Sequence, residues 1–139
     1  MDLIKEELRI YTDGASRGNP GPSGAAALIY DNNDVLIDKI SSFLGQATNN
    51  FAEYSALLLA LNRSVDLGAK RVKIITDSQL MARQWVGLYK VKNLTIKCLY
   101  DEAKSIAEKL EDVHVVHVNR TENKKADKLV NEVIDLNTL

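Results

Sequence analysis

From residue 50 onward, the sequence alternates between helix-like segments and short runs of β-branched residues. After Asn50, for example, Phe51, Tyr54 and Leu58 recur at three- and four-residue intervals, which is typical of an amphipathic helix. Strands that alternate with helices pair in parallel through right-handed crossovers, so this half predicts an α/β fold. Its predicted elements are a helix over Asn50–Leu67, a strand over Arg71–Thr76, helices over Ser78–Tyr89 and Thr95–Leu110, a strand over Val113–Val118 and a helix over Lys124–Leu136. Valines on both faces of the last strand predict that helices cover it on both sides.

The first half of the chain has the pattern of a strand meander. Leu8–Asp13 alternates between two faces, and Gly24–Tyr30 is small and apolar. The turn cluster Asp31–Asp34 separates this second strand from a third over Val35–Phe43, which predicts an antiparallel hairpin. The glycine- and proline-rich segment between the first two strands is predicted to be a loop. The element order βββαβααβα favours a mixed sheet with helices on its faces.

Composition restricts the class of protein. The 139 residues, of which 45% are hydrophobic, predict a single domain over residues 1–139. Eighteen Lys and Arg against 19 Asp and Glu give a net charge of -1, so a polyanion must be bound by a local patch. No apolar run approaches the roughly 20 residues that span a bilayer, and the start MDLIKEELRI lacks the apolar stretch of a signal peptide. The single cysteine, Cys98, forms neither an internal disulfide nor a zinc cluster, which favours a cytoplasmic location.

Four acidic residues stand at the ends of predicted elements. Asp13 ends the first strand, Asp77 ends the strand VKIITD, and Glu53 and Asp127 lie in the first turns of two helices. Each has a structural explanation. Asp13 with the following glycine is a turn signal, Glu53 has capping-box spacing from Asn50, Asp77 is suited to cap the next helix, and Asp127 complements a helix dipole.

Considered together, the four acids indicate a metal site. If the strands that end in Asp13 and Asp77 are parallel neighbours, their ends lie about 4.8 Å apart. Carboxylates that close repel one another unless a proton or a cation bridges them. Open α/β sheets bind ligands at the carboxyl ends of their strands, and two metals that act together are separated by roughly 3.5–4 Å. Oxygen ligands favour Mg²⁺ or Mn²⁺ over zinc.

The segments YTDGASRGNPGPSGAA, ATNNFAEYSALLLAL, ITDSQL, GLYKVKN and HVNRTENKKAD, in this order, resemble type 1 ribonuclease H over nearly the whole chain. The short segment GLYKVKN is most similar to the compact archaeal and plant-like branch. The resemblance implies a ribonuclease H-like fold, with a five-stranded mixed sheet in the order 3-2-1-4-5 and helices on both faces. It implies an endonuclease that cuts the RNA strand of RNA/DNA hybrids by a two-metal-ion mechanism and leaves 5′-phosphate and 3′-hydroxyl ends. The family's four metal-binding acids correspond to Asp13, Glu53, Asp77 and Asp127, with two Mg²⁺ expected and Mn²⁺ as a possible substitute.

The resemblance also assigns contacts to the hybrid. Amide and backbone groups suit the 2′-hydroxyl of RNA, which both donates and accepts hydrogen bonds. The positions that match the family's groove-reading residues are Asn49, Asn50 and Gln79, and those of its substrate loop are Ser16, Arg17, Gly18 and Asn19. Thr48 matches a contact to a DNA phosphate. Capping of a helix is the structural alternative for Asn49 and Asn50.

Other positions depart from the pattern of many bacterial members. The basic protrusion between the third and fourth helices is reduced to a few residues, and the connection from Asn119 to Lys125 has no histidine. Arg120 matches an arginine of the compact branch, and we hypothesise that it assists the leaving group or product release. Trp85 has the helical spacing of a core residue.

Two alternative functions remain open at this stage. One is a non-catalytic module that binds hybrids, against which the complete set of four acids argues. The other is a different metal nuclease of the same superfamily, similar to a resolvase or an integrase, against which the paired asparagines after Thr48 argue. We expect a monomer that needs no obligatory protein partner and does not enter a membrane.

Overall fold

The computed structural model describes residues 6–138. The start of the segment considered for a signal peptide, residues 1–5, lies outside this range. The strands are β1 (Glu7–Ser16), β2 (Gly21–Tyr30), β3 (Leu36–Ala47), β4 (Arg71–Thr76) and β5 (Asp112–His117), and the helices are α1 (Asn49–Asp66), α2 (Gln79–Trp85), α3 (Leu94–Ala107) and α4 (Lys124–Asn137). Among these helices, none has the length and apolar character that crossing a membrane requires.

The five strands form one mixed sheet in the order β3-β2-β1-β4-β5. Strands β1 to β3 pair antiparallel as a meander, while β4 pairs in parallel with both β1 and β5. The order that the resemblance implied is therefore confirmed. The pairing of β1 with β4 ends at Thr12 and Thr76, immediately before Asp13 and Asp77.

The two faces of the sheet carry cores of different size. On one face, α1, α2 and α3 cover side chains such as Ile10 and Ile74, both fully buried. Trp85 is 7% exposed within this core, as its spacing predicted. On the other face, Val130 and Ile134 of α4 pack against Ala26 of β2. Successive residues of a strand point to opposite faces, so one strand supplies both cores.

Several predicted boundaries are wrong. The segment predicted as one long loop is mostly strand, because β1 continues to Ser16 and β2 begins at Gly21. The helix predicted over Ser78–Tyr89 ends at Trp85, and Gly87 follows with a positive φ of 83°. The expectation that helices bury both faces of the last strand is also wrong, since β5 is an edge strand whose side chains are half-buried or exposed.

Candidate active site

Three acidic side chains converge at the carboxyl ends of β1 and β4. Asp13 lies on β1, Asp77 follows the last residue of β4, and Glu53 lies near the start of α1. One carboxylate oxygen from each residue lies within 4.8 Å of the others. The parallel pairing of β1 with β4 brings the two aspartates together, as their positions at the ends of two strands predicted.

Gly14 allows the helix that carries Glu53 to approach β1 closely. A Cβ atom at Gly14 would lie 2.2 Å from the backbone carbon of Ala52, so any larger residue would displace α1. The Gly14 N–H donates to Glu53 Oε1 at 2.5 Å. Glu53 therefore does not complete a capping box, and Gly14 is a strand residue rather than part of a turn. Thr48 caps α1, since its hydroxyl accepts from the Phe51 N–H at 3.2 Å.

Asp127 approaches the three acids from the other face of the sheet. It lies in the first turn of α4, and its proximity to Asp13 adds to the rise that burial causes in the pKa of Asp13. Within residues 6–138, the group whose oxygens lie within 4.8 Å of one another contains Asp13, Glu53 and Asp77 but not Asp127. The fourth acid is thus adjacent to the group rather than inside it.

Burial and mutual repulsion raise the pKa values of the converging acids. Burial, followed by the charges of Asp77 and Asp127, raises the pKa of Asp13 to about 8. Burial is also the main cause of the raised pKa of Glu53, and the charges of Asp13 and Asp77 add to it. Burial raises the pKa of Asp77, although the nearby Arg120 guanidinium opposes this shift. With a pKa of about 8, Asp13 holds a proton near neutral pH unless a cation replaces it.

The acids open onto a cleft of about 700 Å³ that contains most of the predicted substrate-contacting residues. The predicted site residues that line the cleft are Asp13, Glu53, Asp77, Asp127, Arg120, Ser16, Arg17, Asn19, Asn49 and Asn50. Arg120 Nε lies 3.9 Å from Asp77 Oδ2, and its side chain is largely exposed to solvent.

Hydrogen bonds join the two predicted contact segments along the rim of the cleft. The Ser16 N–H donates to Asn49 Oδ1 at 2.7 Å, and the Asn49 N–H donates to Asn19 Oδ1 at 3.0 Å. Arg17 reaches α4, where its guanidinium lies 2.6 Å from Asp135 Oδ1 and donates to Asn131 Oδ1 at 3.1 Å. The capping alternative for Asn49 is wrong, because its side chain bonds to β1 while Thr48 caps the helix.

Gly18, Thr48 and Gln79 do not line this cleft. Gly18 is exposed in the loop between β1 and β2, and Gln79 is exposed at the start of α2. Thr48 lines a neighbouring cavity of about 390 Å³ together with Asn93, which caps α3. The start of α2 is capped by Ser78 rather than by Asp77, so the structural explanation for Asp77 is wrong.

Two asparagines at the site were not predicted from the sequence. Asn123 is 1% exposed, and its Nδ2 donates to the backbone oxygen of Thr12 at 2.9 Å. Asn131 lines the cleft one helical turn after Asp127. The four-residue spacing from Asp127 was a signal for Asn131. Asn123 lies in a polar segment that is typical of an exposed loop, and the hydrophobic pattern around it does not predict its burial.

The chain is similar in sequence and in overall fold to several known proteins. Residues 11–133 match the protein family described as Reverse transcriptase-like. A ribonuclease H of Ehrlichia chaffeensis is 36% identical over 154 residues, which cover 94% of this chain and 99% of that protein. The LC11-RNase H1 structure, solved in complex with an RNA/DNA hybrid, superposes with a TM-score of 0.90 at 38% identity and covers 95% of this chain and 99% of that one.

A longer relative shows that this kind of domain also occurs within larger proteins. The bifunctional protein Rv2228c of Mycobacterium tuberculosis is 38% identical over 128 residues, which cover 91% of this chain. The chain spans about a third of that relative, since the match covers 35% of its length.

Proposed function

The chain belongs to the type 1 ribonuclease H family, and from this we propose that it hydrolyses the RNA strand of RNA/DNA hybrids as an endonuclease. The observation that carries the proposal is the group formed by Asp13, Glu53 and Asp77, whose oxygens lie within 4.8 Å of one another on an open cleft. The hybrid bound to LC11-RNase H1, a protein of the same fold and size, supports the choice of substrate.

The acids fit divalent cations by their chemistry. Three carboxylates at such distances form an all-oxygen donor set, which suits Mg²⁺ or Mn²⁺. Burial and mutual repulsion raise the pKa values of these acids, and a bound cation would offset both effects. We assign Asp13, Glu53, Asp77 and Asp127 to the binding of two such ions. When bound, they would activate a water for attack on the phosphodiester and neutralise developing charge, leaving 5′-phosphate and 3′-hydroxyl ends.

The protein's own groups orient these carboxylates. The Gly14 N–H fixes one oxygen of Glu53, and the strand pairing that ends at Thr12 and Thr76 sets Asp13 beside Asp77. Asp13 interacts electrostatically with Glu53, Asp77 and Asp127, so we assign to it a share in holding both ions if they bind. Arg120 extends from Asp77 toward solvent, where it can contact a phosphate or a departing product.

We assign selection of the RNA strand to the polar rim of the cleft, which Ser16, Asn19, Asn49 and Asn50 form. Asn49 and Asn50 at the start of α1 and the loop residues Ser16 and Asn19 present amide, hydroxyl and backbone groups to the cleft. These groups match the dual donor and acceptor character of a 2′-hydroxyl. From the family resemblance, we also assign contacts to the hybrid to Arg17 in the cleft and to the exposed residues Gly18 and Gln79 outside it. We assign a contact to a phosphate of the DNA strand to Thr48 in the adjacent cavity.

We further propose that the enzyme is a cytoplasmic monomer that needs no protein partner. All four acids and the rim come from one chain, so the site is complete without a second subunit. The exposed thiol of Cys98 suits a reducing compartment. Sedimentation of the purified protein at micromolar concentration should show a single species of about 15.4 kDa.

The experiment that tests the proposed activity uses labelled hybrid, RNA duplex and DNA duplex, each with Mg²⁺, Mn²⁺ or a chelator. We expect cleavage of the RNA strand of the hybrid and loss of cleavage with the chelator. Asp77→Asn should abolish cutting while it keeps binding of the hybrid. Asp66→Asn is the matched control, because Asp66 is an exposed acid near the far end of α1. A wild-type protein that binds hybrid without cutting it would indicate a binding module, and cleavage of an all-DNA junction would indicate a resolvase-like nuclease.

A further inference from the structure

We propose that Asn123 is a positioning residue that holds the strand bearing Asp13 and the helix bearing Asp127 at the separation that cation binding requires. This inference rests on the proposed function, since it concerns the same carboxylates. Asn123 is not itself assigned as a ligand of the cations or as a contact of the hybrid.

Asn123 uses its side chain in an unusual way for its position. It directly precedes α4, where an asparagine ordinarily caps the helix by accepting from a backbone N–H. Its side chain forms no such bond to the helix. Instead, Nδ2 donates to the backbone oxygen of Thr12 at 2.9 Å, across a sequence separation of 111 residues. The side chain therefore connects α4 to β1 rather than stabilising the helix start.

The bond to Thr12 lies at the position where β1 and β4 cease to pair. Thr12 is the last residue of β1 with a partner on β4, and Asp13 is the next residue. The backbone oxygen of Asn123 accepts from the Asp127 N–H at 3.1 Å. One buried residue thus links the backbone beside Asp13 to the first turn that carries Asp127. The Asn123 side chain also lies near Asp77, where it opposes the rise that burial causes in the pKa of that acid.

The stability of the fold does not by itself explain why an amide side chain is buried at position 123. Asn123 is 1% exposed, and its Oδ1 is buried without a hydrogen-bond partner among the described residues. A buried acceptor without a partner costs a fold about as much stability as a buried hydrogen bond contributes, so the bond to Thr12 and the unpaired Oδ1 largely offset each other. Groups that orient metal ligands, by contrast, change metal affinity by about 10- to 100-fold when they are removed.

The test compares Asn123→Leu with the control Gln84→Met. Both changes replace a buried amide with an apolar side chain of similar size. Gln84 is 6% exposed on α2, where Oε1 accepts from the Tyr54 hydroxyl at 2.7 Å, away from the acids. Three quantities are measured: the melting temperature without divalent ions, the affinity of substrate-free protein for Mn²⁺ by titration, and kcat and KM for a hybrid at saturating Mg²⁺.

We expect Asn123→Leu to weaken Mn²⁺ binding by about 10-fold or more and to lower kcat with little change in KM. Gln84→Met should keep the wild-type Mn²⁺ affinity at a comparable change in melting temperature. If Asn123→Leu does not fold, Asn123→Ser, which is too short to reach Thr12, takes its place. Failure of both variants to fold while Gln84→Met folds would overturn the inference in favour of a purely structural role.

Failure of this inference is distinguishable from failure of the proposed function. Wild-type Mn²⁺ affinity in Asn123→Leu, measured in a preparation whose wild type binds Mn²⁺ and cuts hybrid, would overturn the inference alone. A wild-type protein that neither binds Mn²⁺ nor cuts hybrid would overturn the proposed function, and the inference with it.

Discussion

Ile10 and Asp13 lie three residues apart on β1 and are almost equally buried, at 0% and 4% exposure. Ile10 packs in the core beneath α1, where burial of such a side chain stabilises the fold by roughly 1.5–3 kcal/mol. Asp13 lies beside Glu53 and Asp77, and there burial raises its pKa to about 8. The same degree of burial thus stabilises the fold at Ile10 and destabilises the charged form of the Asp13 side chain.

This difference indicates how the protein separates folding from function. The apolar side chains of β1 are stabilised by packing against the sheet and α1 alone. The carboxylates at its other end are stable only when protons or cations compensate their charge. Metal binding and folding should therefore respond to different substitutions.

Asp13→Asn removes the central charge of the carboxylate end while keeping the shape of the side chain. We expect cleavage of the hybrid to fall by about 10³-fold or more, because cation binding supplies several kcal/mol of transition-state stabilisation. The melting temperature of the metal-free variant at about pH 8 should equal or exceed that of the wild type, since a buried charge has been removed. Single-turnover cleavage and thermal melting test the two effects. Near-normal cleavage by this variant would contradict the assignment of Asp13.

Ile10→Ala is the corresponding change at the apolar end. We expect the free energy of unfolding to fall by about 2–5 kcal/mol, because a cavity is left in a close-packed core. Folded variant protein should bind Mn²⁺ as the wild type does. Urea denaturation and Mn²⁺ titration test this. The smaller change Ile10→Val should lower the free energy of unfolding by about 0.5–1.5 kcal/mol, which gives an intermediate variant for the comparison. A parallel loss of stability and Mn²⁺ affinity across the series would contradict the separation of the two ends.

The two ends of β1 also differ in how far the sequence predicts them. Alternation of apolar residues predicts Ile10 as core, because period two directly encodes which side faces the helices. The position of Asp13 at the end of a strand predicts its proximity to Asp77, since parallel neighbours end together. The placement of Glu53 was predictable only through the family resemblance. It depends on the contact between Gly14 and Ala52, which is tertiary and leaves no periodic pattern.

Elements at the edge of the site were less predictable. The residues 14–24 have loop composition, yet most of them extend β1 and β2, because long-range pairing overrode the local preference. Asn123 is polar and lies in a polar segment, so its burial follows only from the way α4 packs on the sheet. Valines on β5 predicted burial on both faces, but its place at the sheet edge could not be derived from its own residues.

The stability of the metal-free protein should depend on pH through Asp13. The neutral form of Asp13 is favoured in the folded protein, so its contribution to stability is complete below its usual pKa of 3.8. That contribution is lost as the pH rises toward about 8. Relative to Asp13→Asn, metal-free wild type should therefore lose up to a few kcal/mol between about pH 4 and pH 8. Added Mg²⁺ should restore more stability at about pH 8 than at pH 5. Melting curves of both proteins test this, and a constant difference across the range would contradict it.

Arg120→Ala should have the smallest effect, because Arg120 differs from the acids in being largely exposed. Its guanidinium lies 3.9 Å from Asp77, and exposed charge pairs of this kind contribute about 0.2–1 kcal/mol. We therefore expect steady-state turnover to fall by roughly two- to fivefold. Arg120→Lys separates two causes, since it keeps the charge but loses the planar fork of donors. If Arg120 assists product release, single-turnover cleavage stays at the wild-type rate while steady-state turnover falls. If it assists the leaving group, both rates fall together, and full steady-state turnover in Arg120→Ala would exclude either role.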